Sequence, residues 1–459
     1  MTIKKCLIIL INLILLAGSV QAKTIEDKGI QYLNLEYWEN YNDEYLNKYL
    51  KDLYENNQDL KIAKLNSLQS QDSIKMQFAN QLPYLGFQGR YLWEPHAADQ
   101  RFGDLLIPSY HQYNLLLPLA MSYEVDIWGK NYLKTKSVKM VDEIIRQDER
   151  SAYISITSNF AGDYYNLIKI KQLLKNMRRI KEIEVDLVAK TEKKYARGLA
   201  SITEVLNEKQ ELAKIEMDLN LLEKSLDLIN DELMVQLGNR NLKEFDTIAY
   251  DDIKTFDIPE EIDSERIQNR PDLKKTEFYI KKIGIDVKVA RREFLPKFIL
   301  FGQFGFNAYS FSRLFAPNTL LSSIGVMPQV DLFTGGAKKA NLNLKKHEYK
   351  KALEYYEKTI LTSLQELNDA LVSAKTCKAN LEKDTEKITL EHEKLRLKQR
   401  ELEIGSISQF DELVAEKYAL KLEQELVNEK INYIISTINL YKALGGENYL
   451  QTGEETTDL

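Results

Sequence analysis

Residues 337–404 read AKKANLNLKKHEYKKALEYYEKTILTSLQELNDALVSAKTCKANLEKDTEKITLEHEKLRLKQRELEI, a run with neither glycine nor proline. Inside it Tyr349, Leu353, Tyr356, Ile360, Leu364, Leu367, Leu371 and Ala374 recur at spacings of three and four, the stripe of a helix packed on partner helices as in a coiled coil. At 1.5 Å per residue this helix is about 100 Å long, longer than a globular core accommodates. Gly405 ends the run, and a second helical stretch extends to Leu444-Gly445.

Outward from this stretch, the chain repeats itself. Residues 131–197 match the long run in length, with Gly162 as the one interruption. Asp59-Leu60-Lys61 and Leu82-Pro83 return as Asp272-Leu273-Lys274 and Leu295-Pro296 at an offset of 213, and Gly89 returns as Gly302. Asp126-Ile127-Trp128 matches Asp331-Leu332-Phe333 at 205. Gly198-x-x-Ser201-x-x-Glu204-x-Leu206 matches Gly405-x-x-Ser408-x-x-Asp411-x-Leu413 at 207, the offset that also relates Leu237-Gly238 to Leu444-Gly445. The chain is therefore a duplicated unit, repeat one about 40–238 and repeat two about 255–446, each reading helix, strand pair, long helix, glycine break, helix.

All nine prolines lie in two windows, Pro83 to Pro118 and Pro259 to Pro328. Around them the pattern changes to alternation: Leu85, Phe87, Gly89, Tyr91, Trp93; then Tyr113, Leu115, Leu117, Leu119, Met121, Tyr123, Val125; and in repeat two Phe298, Leu300, Gly302, Phe304, Phe306, then Ile324 and Val326. Four strands of about ten residues result, each long enough to cross a bilayer when tilted. Trp93, Tyr113, Tyr123, Trp128 and Phe304 fall near strand ends, where an interfacial girdle places aromatic rings. Four strands cannot close a barrel, since the smallest bilayer-spanning barrels use eight, and open edges in hydrocarbon leave backbone groups unpaired. Several chains must share one barrel; three chains give twelve strands and room for a lumen.

The remaining composition mostly excludes. With 63 basic and 69 acidic residues the net charge is −6, and no basic patch of the kind that neutralises nucleic-acid phosphates is present. Lys4 and Lys5, an apolar run from Leu7 to Ala17, and Val20 and Ala22 before a cleavage point form a leader, so residues 1–22 are expected to be a signal peptide. Ser19 stands where a lipid-accepting cysteine would follow Leu-Ala-Gly, so no acyl anchor is expected. Cys377 is then the one cysteine of the mature chain, which leaves no internal disulfide. His96, His111, His347 and His392 are scattered, without the spacing of a metal site, and no motif assembles nucleophile, base and oxyanion donors. No cofactor, metal or catalytic residue is expected, and residues 447–459 read as a disordered tail.

Arg270-Pro271-Asp272-Leu273, Tyr123-Glu124-Val125-Asp126-Ile127-Trp128-Gly129-Lys130, Pro328 with Asp331-Leu332-Phe333-x-Gly335-Gly336, and Lys442-Ala443-Leu444-Gly445-Gly446 together resemble the TolC and OprM type of outer-membrane efflux channel. The resemblance runs from about 40 to 446, in order and in both repeats. It implies a mainly α protein with a β-barrel portion: a homotrimer whose long helices form an α-barrel across the periplasm and whose strands make a 12-stranded barrel in the outer membrane of a Gram-negative bacterium. It further implies a passive exit for a tripartite efflux pump or type I secretion system, with a periplasmic adaptor (membrane fusion) protein and an inner-membrane pump of RND, ABC or MFS type as partners.

The same resemblance carries an acidic periplasmic aperture onto Asp411 and its counterpart Glu204. A ring of three carboxylates there favours cations and raises its own pKa values by repulsion. The residues alone offer another role, because Ser201-x-x-Glu204 and Ser408-x-x-Asp411 also fit helix-start capping boxes. A second aperture aspartate is replaced by Val414 and a basic latch residue by Ile407. Adaptor contact carries over to Gly198, Leu199, Ile404, Gly405 and Ser406; by themselves the glycines need only end helices. A competing reading keeps the helices but denies the barrel, making the chain a soluble periplasmic coiled-coil adaptor.

Overall fold

The computed structural model describes residues 34–94, 100–102, 105–107, 112–238, 244–260 and 262–450; the leader, His96, His111 and residues 451–459 lie outside them. The chain begins with α1 (Leu35–Glu39), α2 (Glu44–Asn56) and α3 (Gln58–Ala79). β1 (Tyr84–Phe87), β2 (Arg90–Glu94), a small hairpin of β3 (Gln100–Phe102) and β4 (Leu105–Ile107), and β5 (Gln112–Val125) follow. α4 (Lys130–Ala196) and α5 (Ile202–Leu237) complete repeat one. Repeat two consists of α6 (Pro271–Arg292), β6 (Lys297–Ala308), β7 (Leu320–Gln329), α7 (Ala337–Glu403) and α8 (Gln409–Ala443).

The two long helices, α4 and α7, are 67 residues each. Gly162 does not break α4: one interior glycine costs only about 1 kcal/mol relative to alanine, little against the packing along such a helix. The shorter helices stack end to end beside the long ones. α5 ends where α3 begins, and Asn57, which caps α3 by accepting from the Leu60 N–H at 2.9 Å, donates its Nδ2 to the Gln236 carbonyl at 2.6 Å. α8 ends where α6 begins, and there Arg270 donates to the Ala443 carbonyl at 2.7 Å. Positions 57 and 270 are repeat equivalents, as are 236 and 443, so one junction has been built twice with different side chains.

These junctions sit in a belt at mid-height of α4. Tyr37, Trp38, Leu46, Leu50, Phe160, Tyr164, Tyr165, Leu233, Leu273, Leu367, Ile434 and Tyr441 form its core. Tyr37 stacks on Tyr441 at 4.1 Å, and Tyr164 donates to the cap residue Asp43 at 3.1 Å. Burial raises the Asp43 pKa against the lowering effect of the Leu46 N–H and Tyr164 hydroxyl. Tyr449, which the sequence placed in a disordered tail, is buried in this belt, donating to the Thr437 carbonyl at 3.2 Å. A ring three residues beyond Gly446 had apolar surface to cover, and composition alone did not reveal it.

Apart from the separate β3–β4 hairpin, the strands form one antiparallel sheet, ordered β1/β2, β5, β6, β7. The first expected strand is split at Gln88–Gly89, opposite Leu117 and Pro118; proline has no N–H to give the ladder. Gly305 faces Pro118 from β6, and a Cβ there would lie 2.1 Å from the Leu117 carbonyl oxygen. Among the described residues, the outer edges of β1/β2 and β7 pair with nothing. No described helix is long and apolar enough to cross a membrane.

Candidate functional site

The register sorts the sheet into two faces. Leu85, Phe87, Tyr91, Trp93, Tyr113, Leu115, Leu117, Leu119, Met121, Tyr123 and Val125 share one face with Phe298, Leu300, Phe304, Phe306, Leu320, Ile324 and Val326. Ser322 is the polar exception, paired with Phe304. The opposite face carries Arg90, Asn114, Ser122, Glu124, Lys297, Gln303, Asn307, Ser323 and Gln329 among small and apolar residues. Asn114 donates to Asn307 there at 3.1 Å. One face suits hydrocarbon and the other water, the alternation of a transmembrane barrel wall. The strand-to-helix joints are tied: Trp128 donates to the Pro296 carbonyl at 2.7 Å, Arg292 to the Gly129 carbonyl at 2.7 Å, and Lys130 pairs with Glu124 at 2.5 Å.

At the other end of the helices both repeats make the same turn. The N–H groups of Gly198 and Leu199 donate to Tyr195 and Lys194; those of Gly405 and Ser406 donate to Leu402 and Glu401. This double bond pattern needs a left-handed residue, supplied by Gly198 at φ 73° and Gly405 at φ 72°. Nothing lies within 4 Å of a Cβ at either position, so backbone conformation rather than space demands glycine. Leu199 and Ile404 stand out at these turns, 74% and 80% exposed.

Ser201 and Ser408 then start α5 and α8, each in a complete capping box. Glu204 Oε1 accepts from the Ser201 N–H at 2.9 Å and its hydroxyl at 2.8 Å. Asp411 Oδ2 accepts from the Ser408 N–H at 3.1 Å and hydroxyl at 2.6 Å. The sequence expectation of upward-shifted carboxylates is a property of three chains around a pore. Within one chain the shift is downward: the Ser408 hydroxyl, then its N–H, lower Asp411, and the Ser201 N–H, then its hydroxyl, lower Glu204. Lys194 acts on both carboxylates, so the two capping acids share one cation, which also lies 4.0 Å from the Phe410 ring centre. Val414 is exposed and Ile407 half-buried.

A seam between α4 and α8 was not visible in the sequence. Arg179 pairs with Glu416 at 2.7 Å, Lys190 donates to Gln409 at 2.7 Å, and Ile183, Leu187 and Leu413 pack between them. Glu184, fully buried, pairs with Lys417 at 2.8 Å. Burial, then a hydrogen bond to Glu184, raises the pKa of Glu208 on α5. These partners are more than 200 positions apart, except for Glu208 and Glu184, and neither charge type nor spacing singles them out. Cys377 is half-buried, with its thiol pKa pushed up by burial and then by Glu429.

Comparison with known proteins agrees with this geometry. The family described as "Outer membrane efflux protein" matches residues 49–239 and 264–446, one segment for each repeat. The toluene efflux pump outer membrane protein TtgC of Pseudomonas putida is 26% identical over 405 residues, 87% of this chain and 82% of that protein. The cation efflux system protein CusC of Escherichia coli is 21% identical over 402 residues, covering 86% and 85%. The Campylobacter jejuni CmeC outer membrane channel superposes with a TM-score of 0.82 at 23% identity, over 93% of this chain and 90% of CmeC. The Neisseria gonorrhoeae MtrE outer membrane channel gives 0.77 at 19%, over 89% and 91%.

Proposed function

The chain belongs to the outer membrane efflux protein family, and from that membership we propose that three copies form a passive duct completing an inner-membrane efflux pump. The observation that carries this reading is the sheet: one face is almost wholly apolar, the other carries the polar groups, and both edges are open among the described residues. Each copy supplies four strands, and threefold closure pairs the edge of β7 with β1/β2 of a neighbour. The helices bear the same need, because α5 exposes Leu206, Met217, Leu221 and Leu228, and α7 exposes Leu353, Leu361 and Val372. Burying such faces between neighbours favours assembly. A water-soluble adaptor has no use for the apolar sheet face.

Under this reading Asp411 and Glu204 narrow the periplasmic mouth, while Gly198, Leu199, Ile404, Gly405 and Ser406 receive the hairpin tips of a periplasmic adaptor. Two rigid turns with projecting apolar side chains support that docking role. The names of the relatives span toluene and cations, which supports selection of substrate by the pump rather than by the channel wall. Crosslinking from Leu199→Cys and Ser406→Cys tests the docking. Adduct to the adaptor at both sites is expected, and adduct at neither would remove the tip from the interface.

A further inference from the structure

The apolar face of the sheet is covered in one place. Leu115 and Ala308, directly paired across β5 and β6, are 5% and 1% exposed, whereas Ile324 on the same face is 77% exposed. Over these rows lies the connection between β6 and β7, at the end of the sheet away from the helices. Phe311 packs on Tyr91 with ring centres 5.5 Å apart, and Phe315 packs edge-on against Phe306 at 5.2 Å. Tyr91 and Phe306 both belong to the apolar face, in the rows of Leu115 and Leu117. The loop thus turns outward, away from the face that carries Asn114 and Asn307.

Its shape is built rather than loose. Short turns at Phe311–Arg313 and Pro317–Thr319 frame it, and the Thr319 hydroxyl reaches the carbonyls of Ala316 at 2.7 Å and Leu314 at 2.9 Å. Phe311 and Phe315 remain largely exposed after these contacts, at the level of Trp93 and Tyr113 on the strand ends. Between them Arg313 is exposed, and among the described residues no carboxylate pairs with it. Two exposed aromatic rings flanking an exposed arginine in one loop suit the boundary between acyl chains and headgroups.

We propose that the β6–β7 loop is a lipid anchor, with Phe311 and Phe315 seated in the outer leaflet and Arg313 bound to the phosphate of an anionic lipid. The loop is continuous with the lipid-facing side of the barrel, so the inference rests on the barrel reading. A planar guanidinium meets phosphate oxygens in pairs, and that contact fixes the height of the barrel in the membrane.

The test uses the full mature chain with Cys377→Ser, labelled with a fluorophore at Phe315→Cys, Phe304→Cys or Gln303→Cys and reconstituted in phosphatidylcholine vesicles with brominated acyl chains. Labels at 315 and 304 should be quenched by bromine, and the label at 303 by aqueous iodide. Bromine quenching at 304 with only iodide quenching at 315 would overturn the anchor and leave the barrel standing. Failure at both 304 and 315 would reject the barrel itself. Replacing part of the phosphatidylcholine with phosphatidylglycerol or lipid A should deepen quenching at 315 in the parent and not in Arg313→Gln. An equal response of parent and variant would remove the phosphate contact.

Discussion

The guanidinium of Arg270 donates to the backbone carbonyl of Ala443, 2.7 Å away and 173 residues further along the chain. The same side chain binds Asp272 with two nitrogens, at 3.0 and 2.7 Å, and Glu366 at 2.5 Å. Burial opposes ionisation of Asp272, yet Arg270 wins and holds that carboxyl below its ordinary range. One residue thus joins α6, α7 and the end of α8. Arg270→Ala takes a partner from Asp272, Glu366 and the Ala443 carbonyl; both carboxylates are about half exposed and solvent screens them, so most of the cost, about 2–3 kcal/mol, is the charge-assisted bond to the buried carbonyl. Arg270→Lys should recover only part of this, since an ammonium cannot form the fork. Asn57→Ala at the equivalent junction loses two neutral bonds, the cap on the Leu60 N–H and the donation to the Gln236 carbonyl, about 1 kcal/mol each. Urea unfolding of the detergent-solubilised protein should find Arg270→Ala the least stable of the three variants.

Gly198, Gly405 and Gly445 all have positive φ but differ in surroundings. Alanine at 198 or 405 meets open space and pays only for the left-handed backbone, about 1–2 kcal/mol. At 445 the added Cβ would also lie 2.9 Å from the Arg270 Cα and 3.1 Å from Pro271. Gly445→Ala should therefore lower folded yield and thermal midpoint well beyond either tip variant, as circular dichroism melts will show.

The capping and aperture roles of Asp411 are separable. Ser408→Ala keeps the carboxylate and loses the cap, costing about 1 kcal/mol of helix stability. Asp411→Ala loses the carboxylate and its bonds from the Ser408 N–H and hydroxyl, while the Ser408 oxygen still accepts from the backbone N–H of residue 411. In planar bilayers, Asp411→Ala should lower cation selectivity while Ser408→Ala preserves it. Equal selectivity in parent and Asp411→Ala would confine that carboxylate to capping.

Glu208 gives the seam a pH dependence. Its folded pKa is raised, by burial and then by Glu184, with Lys417 opposing. A raised acid penalises the folded state when ionised, so the penalty is full above the folded pKa, is relieved as pH falls through it, and is gone below the unfolded value. Glu211, Lys214 and Lys421 form the charged surroundings on α5 and α8. Glu208→Gln should be more stable than the parent at neutral pH, and the difference should shrink on acidification toward the ordinary glutamate range. Melts from pH 8 to pH 4 check the sign.

Much of this architecture was legible because it is periodic. The 3-and-4 stripe ending in Leu367 and Ala374, both buried, located α7, and the recurrence of Gly198 and Gly405 located two turns that proved equivalent bond for bond. The capping serines were readable for the same reason, as local geometry within four residues. What escaped was non-local or singular: the split at Gln88–Gly89, imposed by Pro118 on a neighbouring strand; the β3–β4 hairpin; the buried Tyr449; and the α4–α8 seam. Phe311 and Phe315 lie outside any alternating run, so nothing in the pattern marked them as part of the apolar face. The Arg270 and Ala443 segments both stood out as motifs, but only the fold shows that each satisfies the other.

Threefold assembly follows from one copy being an incomplete wall. Native mass spectrometry of the detergent-extracted mature protein measures this most directly. A single species with the mass of three chains is predicted, and a monomer that stays in solution without detergent would contradict it.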